Sequence, residues 1–124
     1  MISGISTIDN KKSIEEKLKE TNEILNNENN NIKFNLLLIH EPDIIKLFDY
    51  SKFNLILGGH SHGGHIKLPL FGPIVLPKNA KKYYKDYYEL NNSKLYISSG
   101  IGTSRLKLRF LNKPSINLYR LVNK

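Results

Sequence analysis

Four histidines carry the chemistry that this sequence could perform. Three of them, His60, His62 and His65, fall within six residues on one glycine-rich stretch, "LILGGHSHGGHIKLPLFGP" (55–73). The fourth, His40, closes an earlier apolar run, "KFNLLLIH". Neutral imidazole is the commonest metal-binding side chain and suits Zn, Mn, Fe, Co or Ni. The chain has no cysteine, which excludes disulfides and thiolate sites and leaves His, Asp, Glu and Asn as donors. Gly58, Gly59, Gly63 and Gly64 permit backbone angles closed to other residues and the close approach of a ligand. Three nitrogen donors suffice for one catalytic zinc, whereas a two-metal site needs more, including a bridging carboxylate. The competing reading is a glycine turn whose histidines bond backbone carbonyls. Spacing alone does not separate the two.

The elements that must position these residues come next. Residues 2 to 8 read as a short strand. The segment from Ser13 to Asn26 reads as a helix, with Ile14, Leu18 and Leu25 forming one apolar stripe and Ser13 with Glu16 forming a capping box. "NNENNN" then breaks the pattern as a short polar loop. "KFNLLLIH" and "FNLILGG" read as strands buried on both faces. Between them "EPDIIKLFDY" suits a short helix, with Pro42 early and Asp43 in its first turn. Strand, helix, strand predicts a right-handed crossover with parallel strands, so His40 and the Gly58-Gly59-His60 turn reach the same sheet edge. Beyond Pro73, "YYEL", "KLYISSG", "LKLRFL" and "SINLYRLV" read as short strands, with a hairpin turn at Asn91-Asn92. The class is α/β first and mostly antiparallel β afterwards.

A length of 124 residues fits one small domain with its own core. No apolar run approaches the roughly 18 to 20 residues of a membrane span, and no secretory signal is visible, which leaves localisation open. The net charge of +8 invites an anionic partner. The basic residues are spread thinly, however, and only Arg105, Arg109 and Arg120 among the 19 are arginine. That pattern favours a solvated surface, and no specific nucleic-acid partner is expected. Lysines interleaved with Tyr83-Tyr84 and Tyr87-Tyr88 could stack bases, but hairpin packing explains these tyrosines more simply.

"GGHSHGGH" followed by "IKLPLFGP" resembles the "GHTHGGQ…LP…GP" signature of the calcineurin-like metallophosphoesterases, and within them the YkuE- and YaeI-like bacterial phosphohydrolases. "LLLIHEPDII" resembles that group's strand ending in His-x-Pro. "LYISSGIGTSRLKLRFLNKPSINLYRL" resembles its closing segment, with Lys107 where Pro is usual and Ser115 where Glu is usual. "ISGISTID" resembles the strand and turn before the long helix. The resemblance implies a four-layer αββα sandwich, two divalent ions (Mn, Zn or Fe) and hydrolysis of phosphate mono- or diesters. It implies His40 and His60 as ligands of one ion and His62 of the other. His65 stands where Gln is usual and reads as supporting the site from behind or as structural. Arg109 occupies the closing Arg position, where it would pair with phosphate or with a carboxylate. "GIGTS" (Gly100 to Ser104) reads as a tight turn under the site, since a lone Gly-x-Gly is weak evidence for an anion cradle.

The Asp-x-His, Gly-Asp-x-x-Asp and Gly-Asn-His motifs that the family places in its first half are absent from this sequence. Residues 1–124 therefore read as a single partial domain, the C-terminal half of a metallophosphoesterase, supplying part of a metal site and inactive alone. A split gene, a truncated product and a start at an internal methionine all fit; the expected partners are a phosphate-ester substrate and, in the split-gene case, a separately encoded N-terminal half. Two alternatives stand beside this reading: a non-catalytic remnant, and a basic module for anionic surfaces.

Overall fold

The computed structural model describes residues 1–5, 11–27, 34–47, 49–103 and 107–122, without the side chains of residues 11–14, 24, 25 and 27. Its elements in chain order are β1 (Ile2–Ile5), α1 (Lys11–Asn27), β2 (Leu36–Ile39), β3 (Leu55–Gly58), β4 (Lys67–Leu68), β5 (Gly72–Pro73), β6 (Tyr87–Leu90) and β7 (Ser93–Ile97). Short 3-10 turns cover Pro42–Leu47, Tyr50–Lys52 and His62–Gly64. The main sheet runs β1-β2-β3-β7-β6, and β4 with β5 forms a separate ribbon. β1, β2, β3 and β7 are mutually parallel along the sheet, while β6 joins β7 antiparallel. The fold is mixed α/β, with the parallel pairing of β2 and β3 that the strand-helix-strand order predicts.

The register builds the core. Leu37, Ile56 and Leu95 are consecutive cross-strand partners, and all three are fully buried. Ile39, Gly58 and Ile97 form the next row, continued by Ile5 on β1. Burying an aliphatic side chain of this size contributes about 1.5–3 kcal/mol. Ile44, Ile45, Phe53 and Tyr83 join the same cluster. Gly58 is a packing requirement: a Cβ there would stand 2.8 Å from Ile97 Cδ1 and 3.5 Å from Pro42 Cβ. Its hydrogen lets the turn at Pro42 sit close against the row.

Several expectations need correction. β2 is not covered on both faces, because Leu38 is 43% exposed while Leu37 and Ile39 are buried. An unbroken apolar run shows that both faces suit an apolar cover, not that both have one among the described residues. The short helix expected after His40 does form, over Pro42–Leu47, and it is of the 3-10 type, since six residues fix too few hydrogen bonds to offset α-helix nucleation. α1 starts at Lys11, so Ser13 lies inside its first turn and not at a cap. The rest of the expected first strand (residues 6–8) and residues 28–31 of the polar loop lie outside the described residues, as do the side chains of Ile14 and Leu25.

The hairpin at Asn91-Asn92 forms, with Asn91 at φ 50°, in the left-handed region that two-residue hairpin loops favour. The described residues of "LKLRFL" (107–111) and "SINLYRLV" do not become strands; Leu106 lies outside the described residues. Their only ladder contact among the described residues is a bridge between Ile66 and Phe110. Pro114 interrupts the run, and the polar groups around it bond other loops instead. The tyrosines pack. Tyr83 and Tyr88 meet edge-on at 5.0 Å, and the cross-strand partners Tyr87 and Tyr96 have ring centroids 4.9 Å apart. No helix among the described residues is long and apolar enough to cross a membrane.

Candidate metal centre

Parallel pairing delivers the C-terminal ends of β2, β3 and β7 to one edge of the sheet. His40 directly follows Ile39, the last residue of β2, and its backbone N–H donates to the Ile5 carbonyl at 3.1 Å. His60 lies two residues beyond β3, and Ser98–Gly102 leave β7 beside it. The expected convergence of His40 with the His60 turn at this edge is what the sheet produces.

The loop that carries the histidines departs from the sequence reading in one respect. Gly58 and Gly59 keep ordinary backbone angles, whereas His60 (φ 61°), His62 (φ 47°) and His65 (φ 47°) all sit in the left-handed region. Gly63 (φ 62°) and Gly64 (φ 83°) sit there too. Left-handed backbone at a residue with a side chain costs free energy and persists only where its surroundings impose it. Those surroundings are visible. The buried Ser61 hydroxyl accepts from the Gly63 N–H at 3.1 Å, and the Ser61 carbonyl accepts from the Gly64 N–H at 2.7 Å. From the far end of the chain, buried Asn112 donates its side-chain amide to the His62 carbonyl at 2.5 Å. The Phe110 N–H donates to the His65 carbonyl at 2.9 Å.

The imidazoles fall into two pairs. His40 Nε2 lies 3.0 Å from His60 Nδ1, with ring centroids 4.7 Å apart. His62 and His65 form the second pair, also with centroids 4.7 Å apart. His60 Nε2 lies 3.0 Å from the Lys78 carbonyl and 4.0 Å from the carboxylate of buried Glu41. A carbonyl can only accept, so Nε2 of His60 carries a hydrogen, and in a singly protonated ring the Nδ1 lone pair faces His40. Partial burial first, and the adjacent His60 second, hold His40 below its ordinary pKa, with Glu41 pulling the other way. Burial first, then His65, Arg109, His60 and His40, lowers His62 as well. Both shifts, at His40 and at His62, favour the neutral form that binds a metal ion.

Arg109 reaches the same edge. Its Nε donates to the Gly102 carbonyl at 3.1 Å, and its Nη2 lies 2.8 Å from the Ser99 carbonyl and 3.1 Å from that of Gly100. Nη1 is buried with no hydrogen-bond partner among the described residues. Gly100 (φ 64°) in turn lies against His62, where an added Cβ would stand 3.8 Å from Nδ1. "GIGTS" is thus a turn whose carbonyls clasp Arg109, as far as Thr103; Ser104 lies outside the described residues.

Do these residues fit a metal ion? Two nitrogens bound to one ion at about 2.0–2.1 Å stand roughly 3 Å apart, which is the separation of His40 Nε2 and His60 Nδ1. His62 Nδ1 is buried without a hydrogen-bond partner among the described residues. Yet no group of three or more His, Cys, Asp or Glu among the described residues is drawn together closely enough to hold an ion. The donors fit part of a site. Sequence reasoning missed Ser61, Asn112 and the Lys78 carbonyl. Only Ser61, lying between two histidines, carried any local signal.

Comparison with known proteins places the chain beside the metallophosphoesterases. It is 46% identical over 89 residues to the uncharacterized metallophosphoesterase YkuE of Bacillus subtilis, 71% of this chain and 31% of that protein. It is 36% identical over 96 residues to the uncharacterized metallophosphoesterase Cj0846 of Campylobacter jejuni, 77% of this chain and 25% of that protein. To phosphodiesterase YaeI of Escherichia coli it is 31% identical over 87 residues, 70% of this chain and 32% of that protein. Homologues bearing these names support a phosphoesterase family for the chain, which spans about a third or less of their length. No protein-family model matches it. No solved structure matches it either.

Proposed function

We propose that this chain supplies the C-terminal part of a two-metal phosphoesterase site, with His40 and His60 on one divalent ion and His62 on the other. The observation that carries the reading is the His40–His60 pair, whose two ring nitrogens stand 3.0 Å apart on the edge where parallel strands end. The similarity to proteins named metallophosphoesterases gives that pair its chemical context. Bound divalent ions, Mn, Zn or Fe, would neutralise phosphoryl oxygens and activate water for attack on phosphorus. The chain's own residues bind and orient. His60 offers Nδ1, with its second nitrogen fixed by a carbonyl, and His40 would offer Nε2 once the hydrogen it shares with His60 moves to its own Nδ1. The Ser61 hydroxyl and carbonyl, which accept from Gly63 and Gly64, together with the Asn112 side-chain amide and the Phe110 N–H, which donate to the His62 and His65 carbonyls, hold the loop that carries His62. Arg109 orders the turn beside His62 through the carbonyls of Ser99, Gly100 and Gly102, and contact of its guanidinium with a phosphate oxygen would require the buried Nη1 to be uncovered.

The bridging carboxylate and the Asn and His of the remaining motifs would come from the part of the relatives' length that these 124 residues do not span. In that reading the 124-residue chain alone does not turn over phosphate esters. The test is hydrolysis of a generic aryl phosphodiester with Mn or Zn. The purified chain should show no chelator-sensitive rate, and adding a polypeptide with the three missing motifs should produce one. His62→Ala should abolish it. Robust turnover by the chain alone that survives His62→Ala would overturn the proposal.

A further inference from the structure

Two acidic residues next to His40 take no part in the chemistry above, and both hold the loop that meets His60. Asp43, at the start of the Pro42–Leu47 turn, accepts from three successive backbone N–H groups, those of Lys81 at 2.8 Å, Lys82 at 3.1 Å and Tyr83 at 2.9 Å. Its own N–H donates to the Asn79 carbonyl at 2.9 Å. Asn79, at φ 64°, donates its side-chain amide to Glu41 at 3.0 Å. Ala80 and Tyr83 are buried, so the loop is anchored from below as well. The residue immediately before this clamp is Lys78, whose carbonyl meets His60 Nε2 at 3.0 Å.

We infer that Asp43 is a positioning residue for His60: by clamping residues 79–83 it fixes the Lys78 carbonyl, and through it the Nε2–H tautomer and ring orientation of His60. Neutral imidazole carries one hydrogen, and the nitrogen that holds it is set by the partner of that nitrogen. Carbonyls and carboxylates that hold the far nitrogen of a metal-binding histidine orient the ring and raise its basicity. Here the carbonyl sits on a loop, and loops move unless something holds them. A carboxylate wrapped by three N–H groups is a strong clamp, because hydrogen bonds to a charged acceptor are about twice as strong as neutral ones. The Glu41 carboxylate, 4.0 Å from the same nitrogen, favours a hydrogen there too. The consequence for ion binding rests on the ligand role proposed for His60; the tautomer does not.

The test reads the tautomer directly in the metal-free 124-residue chain, by long-range 1H–15N correlation of histidine-labelled protein above pH 7.5. The wild-type chain should show His60 as the Nε2–H form. Asp43→Asn replaces one acceptor oxygen with an amide that faces N–H groups, and should give a mixture of tautomers. Asn79→Gly keeps a backbone comfortable at positive φ, removes the link to Glu41, and should shift the mixture less. Should Asp43→Asn fail to fold, Asp43→Ser, which keeps one hydroxyl acceptor for the same N–H groups, reads the same tautomer. Zn or Mn affinity should fall about 10–100-fold in Asp43→Asn. A wild-type His60 protonated on Nδ1, or variants that lose thermal stability while keeping a pure Nε2–H form, would overturn the inference. A tautomer that follows Asp43, together with ion binding untouched by His60→Ala, would leave the clamp standing and remove the ligand role instead.

Discussion

His40 Nε2 and His60 Nδ1 stand 3.0 Å apart although 20 residues separate them along the chain. The register of β2 on β3 makes the contact, because Ile39 pairs with Gly58 and each histidine follows its strand by one or two residues. The pairing leaves both rings at the strand ends, facing one another across a parallel ladder. This geometry is the basis of the first prediction.

His40→Ala and His60→Ala should each weaken Zn or Mn binding by more than the roughly 10–100-fold typical of losing an orienting partner. Calorimetric titration at pH 7.5 measures this. Repeating it at pH 5.5 should show much weaker binding by the wild-type chain, since protons compete for the same nitrogens. The competition sets in below the ordinary histidine range, because burial holds the His40 and His62 pKa values down. Tight binding unchanged by either substitution would place the ion elsewhere.

The same two histidines should make the metal-free chain less stable in acid. Their folded pKa values lie below the unfolded value of about 6.5, so the unfolded state binds more protons as pH falls. Stability is therefore fully present above about pH 6.5 and is lost as pH drops through the folded values. Thermal melts from pH 8 to pH 5 should show this fall. A double variant, His40→Gln with His62→Gln, should flatten it, and an unaltered slope in that variant would assign the acid sensitivity to other groups.

Gly64→Ala should destabilise the histidine loop. The φ of 83° is strained for any side chain, and the new Cβ would collide with Cβ of Pro73 on the β5 ribbon. A cost of about 1–3 kcal/mol is expected from the backbone alone. Denaturant unfolding reads it as a lower midpoint, and a midpoint equal to wild type would show that the loop has other conformations of similar energy.

Arg109→Lys keeps the charge and loses the planar fork that reaches the carbonyls of Ser99, Gly100 and Gly102. Hydrogen bonds to charged groups contribute about 1.5–3 kcal/mol each, and an ammonium replaces only some of them. Urea unfolding should show a clear loss. An unchanged midpoint would mean that the clasp on the turn contributes little and that Arg109 serves a ligand alone.

Much of this was present in residue order. Two apolar runs around a short Pro-led turn are enough for parallel strands, because a helical or turn crossover returns the chain to the same end of the sheet. Asn91-Asn92 between alternating segments is enough for a hairpin. Because the strands are parallel, His40 and His60 must share an edge, so that much of the candidate site followed from local pattern. The exposed face of β2 did not, since Leu38 is as apolar as Leu37 and only the placement of the remaining chain decides which of them meets water.

What tertiary structure alone decided is how each ring is held. The partner of His60 Nε2 is a backbone carbonyl 18 residues away, and every residue has a carbonyl, so no residue type announces it. The loop presenting His62 and His65 is braced by Asn112 and Phe110, 45 to 50 residues on, in a segment whose alternation reads as strand. Among its described residues that segment pairs only through the Ile66–Phe110 bridge, because its polar groups are spent on the His62 carbonyl and on the turn at Ser99–Gly102. Sequence fixed the types of the donors and the edge they share. Their tautomers, their strained backbone and their division into two pairs came from contacts between segments far apart in the chain, where hydrogen-bond geometry rather than local preference selects the conformation.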